Sequence, residues 1–174
     1  MPYFNPAWAA RPSPAPNETT ASQLARSGLQ YRTMHSTTLH TNNRADVAAA
    51  LAQDRWIVAC LCAAWCGTCT SYRATFDELA ARHPDKYFLW VDIEDHADVV
   101  GDLDVENFPT LLIQRHEHVA FFGTMLPEPN VAHRLVLAQS SMGDAELAAY
   151  AESTEERRHW QRDCNLRALL NAAP

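Results

Sequence analysis

Two stretches of the chain are continuously apolar and rich in β-formers: Trp56 to Cys62 (WIVACLC) and Tyr87 to Ile93 (YFLWVDI). Short apolar runs without polar alternation predict strands buried on both faces. Between them the period changes. Tyr72, Phe76 and Leu79 fall on one helical stripe over 66–83, and Pro84 closes the segment. Upstream, HSTTLH (35–40) predicts a short strand, and Asn43 is placed to cap a helix to about residue 53, with Val47 and Leu51 on one face. Downstream, Val99, Val100 and Leu103 suggest a short helix. Residues 110–114 and 118–123 predict a hairpin through Arg115-His116-Glu117, and Val131, Leu135 and Val136 mark a helix over 130–139. The order β-α-β-α-β-α-β-β-α implies a sheet with parallel strands, helices on both faces and an antiparallel closing hairpin.

The flanks differ from this unit. Residues 1–33 hold five of the ten prolines and no periodic apolar face. Such a stretch cannot offset its ordering entropy by burial, so a disordered tail is expected, with Met34 a candidate start of translation. The domain is expected over 34–140 and a helical extension over 141–174. In the extension Asp144 is placed to cap one helix carrying Leu147 and Tyr150. Ser153-Thr154-Glu155-Glu156 has capping-box spacing for a second helix carrying Trp160, Cys164 and Leu169 or Leu170. These helices are expected to cover the domain's own surface, a partner-binding or dimerising role being the alternative.

Charge removes some function classes. Residues 34–140 carry seven basic against fourteen acidic side chains, a balance that repels phosphate and excludes nucleic acid as the expected partner. No run of 18 apolar residues suggests a membrane span. The N-terminus has no basic region followed by an apolar one, so the expectation is a cytoplasmic protein in which free thiols persist.

The chemistry concentrates in CLCAAWCGTCT, residues 60–70, which holds four of the five cysteines. Cys66 and Cys69 bracket the start of a helix directly after a buried strand. Free N–H groups and the dipole at a helix N-terminus stabilise an anion, so a thiolate there is reactive near neutral pH. Two intervening residues bring the sulfurs within bridging range, and so short a loop adds little stability, which favours reversible oxidation over stapling. A structural zinc site needs four ligands, usually from two such pairs. A c-type haem needs His after the second Cys, where Thr70 stands, and the spacing from Cys60 is unlike common iron–sulfur patterns. No metal and no cofactor are therefore expected. Cys60 and Cys62, alternate residues of a buried strand, and Cys164 read as small packing hydrophobes. His116 and His118 read as a polar hairpin, and Asp92 and Glu94 as solvated carboxylates at a strand end.

Over residues 40–125 the chain resembles the thioredoxin family. The matching residues are Trp65-Cys66-Gly67-Thr68-Cys69 after WIVACLCAA, the strand LWVDIED, and Phe108-Pro109-Thr110 before LLIQ. The resemblance implies a thioredoxin fold: a central mixed β-sheet with helices on both faces, here with extra C-terminal helices. It implies that Cys66 attacks a substrate disulfide and that Cys69 resolves the mixed disulfide. It also implies that Pro109 is cis and packs against the cysteine pair. Trp65, Gly67, Thr68, Phe108, Pro109 and Thr110 would line the substrate site, with Gly123 near its groove. The implied partners are protein disulfides and an electron donor, such as thioredoxin reductase or glutathione. Three positions depart from the family: Thr68 stands where Pro is usual, Cys60 where an Asp is commonly buried, and Trp90 where a Lys often pairs with that Asp. The main expectation is a disulfide reductase; the alternative is a binding or chaperone-like module of the same fold with little redox turnover.

Overall fold

A computed structural model describes residues 36–101, 103 and 105–173. The tail expected over 1–33 and Met34 lie outside the described residues.

Five strands form one mixed sheet in the order β1-β3-β2-β4-β5. They are β1 (Thr37–Thr38), β2 (Ile57–Cys62), β3 (Tyr87–Asp92), β4 (Thr110–Arg115) and β5 (His118–Thr124). β1 and β2 both run parallel to β3, β4 runs antiparallel to β2, and β5 runs antiparallel to β4. Every residue of β2, the central strand, is buried, which is why its sequence shows no polar alternation. The helices are α1 (Arg44–Leu51), α2 (Gly67–Arg82), α3 (Ala97–Val100), α4 (Pro129–Ser140), α5 (Asp144–Ala151), α6 (Glu155–Asp163) and α7 (Leu166–Ala172).

The period of two in β2 divides the core. Val58, Cys60 and Cys62 face one layer with Tyr72, Phe76 and Leu79 of α2, Ala132 and Val136 of α4, and Leu147 of α5. Ile57, Ala59 and Leu61 face the other, with Val47 and Leu51 of α1, Val99 and Val100 of α3, and Leu166 and Leu170 of α7. Helices thus cover both faces, as expected. Phe76 centres the first layer, its ring 5.4 Å from Phe88 and 5.6 Å from Trp90. Cys60 and Trp90 are neighbours in the β2–β3 register. Where the resemblance implies a buried Asp paired with a Lys, the chain has an apolar pair, and the Arg73 guanidinium lies 4.8 Å over the Trp90 ring.

The last helices pack on this domain's sheet through polar side chains as well as leucines. Gln114, fully buried in β4, donates through Nε2 to Asn165 Oδ1 (2.7 Å) and accepts from the Leu166 N–H through Oε1 (3.0 Å). Gln161 of α6 accepts from the Val119 N–H (2.7 Å) and donates to the Val119 carbonyl (2.9 Å). It thereby satisfies backbone groups that a sheet edge leaves unpaired, a recurrent protection of edge strands. The sequence pattern predicts one helix through Trp160 and Leu170; the structure has two, because Asn165 caps α7 by accepting from the Ala168 N–H (3.1 Å).

Candidate active site

β2 delivers the chain to the N-terminus of α2 through Ala63, Ala64 and Trp65. Cys66 is the N-cap residue, with extended backbone (φ −79°, ψ 109°), and its Sγ accepts from the Cys69 N–H at 3.4 Å. A sulfur thus occupies the place usually held by a Ser, Thr or Asp oxygen. Its carbonyl accepts from the Thr70 N–H at 3.0 Å, so the residue is fixed from both sides. Cys66 is half-buried and carries a free thiol, whereas Cys69, in the third helical position, is buried.

Trp65, the neighbour of Cys66 in sequence, is met by two loops. The Phe108–Pro109 peptide bond is cis. Pro109 is buried and its carbonyl accepts from the Met125 N–H (3.2 Å); the Thr110 hydroxyl donates to the Asn107 carbonyl (2.8 Å). Trp65 is 68% exposed, yet it is held in place: its ring meets Phe108 edge-on at 5.7 Å and Nε1 donates to Glu94 Oε1 at 2.8 Å. Gly67 and Thr68 are exposed and line an open groove with Ser71, Tyr72 and Pro127. Gly123 lies in β5 opposite Leu111.

The bridge present in the structure joins Cys69 to Cys62. The dithiol expectation puts Cys66 in that place; here Cys66 remains a thiol. Reading Cys62 as a packing hydrophobe is corrected by the same observation. Cys62 ends β2 pointing into the α2 layer, and the turn after it folds the first turn of α2 back over the strand end. The Cys62 and Cys69 Cα atoms are 5.9 Å apart, within the range a disulfide spans. Cys60 Sγ lies 3.8 Å from Cys62 Sγ. Burial raises the Cys60 thiol far above its ordinary value, the Arg73 charge opposing this only weakly. Cys60 therefore stays neutral and is a poor proton acceptor. Glu94 is a second residue the pattern undervalues: it orients Trp65 instead of being solvated alone. Only contacts 29 residues away in sequence reveal this. His116 adopts a left-handed backbone (φ 51°) in the hairpin turn, with Nε2 3.1 Å from Asp54. Among the described residues no three His, Cys, Asp or Glu side chains are grouped to hold a metal ion.

A mixed sheet with a cysteine at the N-cap of the helix after its central strand, and a cis-proline loop whose Phe108 ring meets the adjacent Trp65, defines a thiol-bearing fold of the thioredoxin class. The family model described as Thioredoxin matches residues 37–125, and the chain belongs to that family. Mouse thioredoxin is 36% identical over 63 residues, spanning 36% of this chain and 60% of its own. The rice thioredoxin-like protein CXXS1 is 38% identical over 63 residues, spanning 36% of this chain and 47% of its own. The chain therefore matches about half of the curated relatives' lengths. Among solved structures, thioredoxin from Trypanosoma brucei brucei superposes with a TM-score of 0.55 at 18% identity, covering 66% of this chain and 98% of its own. Thioredoxin NaTrxh from Nicotiana alata gives 0.54 at 19% identity, covering 64% and 98%. These two likenesses show the fold.

Proposed function

We propose that the chain is a thiol–disulfide oxidoreductase that reduces protein disulfides, with Cys66 as nucleophile and Cys69 as resolving thiol. The observation that carries this reading is the free, half-buried Cys66 thiol at the α2 N-cap, whose sulfur accepts from the Cys69 N–H next to Trp65. Cys66 thiolate attacks one sulfur of a substrate disulfide; the S–S bond breaks and one substrate thiolate leaves. Cys69 then attacks the Cys66 sulfur, the mixed disulfide breaks, and the second substrate thiolate leaves with a Cys66–Cys69 bridge behind it. An external thiol must restore the dithiol. A thioredoxin reductase or glutathione suits this role; one solved relative with the same fold is in a complex with ferredoxin:thioredoxin reductase. The groove beside Gly67 and Thr68, with Phe108, cis-Pro109 and Thr110, suits an extended segment of a protein substrate, which can add to exposed backbone as a further strand. No described helix is long and apolar enough to cross a membrane, and we place the protein in the cytoplasm. We divide the chain into the domain at 34–140 and the helical extension at 141–174.

The second reading is a binding module with little turnover. It is favoured by the Cys62–Cys69 bridge, which withholds the resolving thiol from Cys66. Insulin reduction followed by turbidity, with a recycling reductase, tests the first reading. Turnover that is lost in Cys66→Ser is the expected result. No turnover in the wild type, or turnover that survives Cys66→Ser, refutes it.

A further inference from the structure

We propose that Cys62 is a third redox cysteine, which takes the disulfide over from Cys66 and moves it from the rim of the site into the core. This rests on the dithiol cycle above. Cys69 sits between two partners. On its outer side Cys66 Sγ is held on the Cys69 N–H; on its inner side Cys62 is within bonding distance, and the structure holds that bond. The two arrangements differ by one thiol–disulfide exchange. Cys62 Sγ loses its proton and attacks Cys69 Sγ of the Cys66–Cys69 bridge. The Cys62–Cys69 bond forms, the Cys66–Cys69 bond breaks, and the Cys66 sulfur leaves as thiolate and regains a proton. No oxidant or reductant is consumed. Direction follows from the leaving group: a sulfur stabilised by a helix N-terminal N–H departs more readily than a buried one.

The two oxidised forms behave differently. The rim bridge occupies Cys66. The core bridge, with Cys62 and Cys69 only 1% and 2% exposed, is shielded from external thiols and leaves Cys66 as a lone accessible thiol. A mixed disulfide formed on Cys66 in that state has no internal resolving partner and waits for an external thiol. Cys62 thus converts a dithiol site into a single-thiol site once oxidised protein stands without reductant.

The test uses the full chain, reduced, then oxidised by stoichiometric insulin disulfide and blocked with iodoacetamide in the native state. Residues 56–73 form one tryptic peptide, and chymotryptic cleavage after Trp65 divides Cys60 and Cys62 from Cys66 and Cys69. The expected result is halves that stay joined, with Cys66 alkylated. In Cys62→Ala the halves separate and the Cys66 label is lost. Halves that separate in the wild type, with Cys66 unlabelled, overturn the proposal and leave the dithiol cycle standing. Joined halves that persist in Cys62→Ala overturn it as well. Failure of insulin to oxidise the protein at all overturns the cycle and this inference together.

Discussion

Replacing Asn165 by Ala tests whether the C-terminal helices are part of the fold or appended to it. Asn165 is 6% exposed and its side chain makes three bonds at once. Oδ1 accepts from the Ala168 N–H (3.1 Å) and from Gln114 Nε2 (2.7 Å), and Nδ2 donates to the Glu117 carbonyl (3.0 Å). Loss of the cap costs about 1 kcal/mol. Each of the other two hydrogen bonds contributes about 0.5–1.5 kcal/mol. Gln114 Nε2 keeps the His116 carbonyl at 2.9 Å, which limits the penalty of an orphaned donor. The sum is about 2–4 kcal/mol, and at ~2–4 °C per kcal/mol for a chain of this size the melting temperature falls by roughly 5–15 °C. Urea unfolding followed by far-UV circular dichroism, with a thermal scan alongside, measures this. A loss below about 0.5 kcal/mol in Asn165→Ala would mean that the cap and the buried bonds contribute nothing net, and that the C-terminal helices are merely appended.

Other outcomes follow from the same layers. Phe76→Ala, at a fully buried ring in contact with Phe88 and Trp90, costs about 3–5 kcal/mol in urea unfolding. His83 is buried, with Nε2 2.9 Å from His133 Nδ1; desolvation, then the Lys86 charge, then His133 lower its pKa, Arg82 adding to this and Asp85 opposing. The unfolded chain then binds more protons than the fold below pH ~6.5. The His83 contribution is present above that value and is lost as pH falls toward the lowered folded value. Urea midpoints at pH 7.5 and 5.5 should differ more in wild type than in His83→Gln, and equal differences would contradict this. Burial pushes the Cys164 thiol up to about 12, and the Cys60 thiol further still. In native reduced protein at pH 8 a disulfide reagent should therefore label Cys66 rapidly and reach Cys60 and Cys164 only on unfolding; rapid native labelling of either would count against the described core.

Much of the fold is legible in the sequence because burial writes its own period. The unbroken apolar run of β2 and the stripe of Tyr72, Phe76 and Leu79 on α2 each follow from one local rule. Positions that answer to distant partners are not legible in this way. Asn43 stands at the N-cap of α1 as expected, but its side chain makes no capping bond there: Oδ1 accepts from the His40 N–H and Nδ2 donates to the Thr38 carbonyl, so it fastens the turn after β1. Gly143, not Asp144, is the N-cap of α5. Asn165 reads as an ordinary helical position until Gln114 and Glu117, about fifty residues away, are brought against it. At the site, Trp65, Cys66 and the Phe108-Pro109-Thr110 loop are legible as a motif. Cys62 is not, because its significance depends on the first turn of α2 folding back over the end of β2. The alternation of Cys60 and Cys62 was the available signal: both side chains face the layer that holds Cys69.

The most direct measurement is to trap the mixed disulfide on the Cys69→Ser protein. The reduced variant is mixed with a disulfide-bonded protein substrate, quenched in acid and cleaved after Trp65 and Arg73 for mass mapping. The expected result is a stable substrate adduct on the peptide 66–73, carried by Cys66. An adduct on Cys62 or Cys164 instead, or none under conditions where wild type reduces the same substrate, would contradict it.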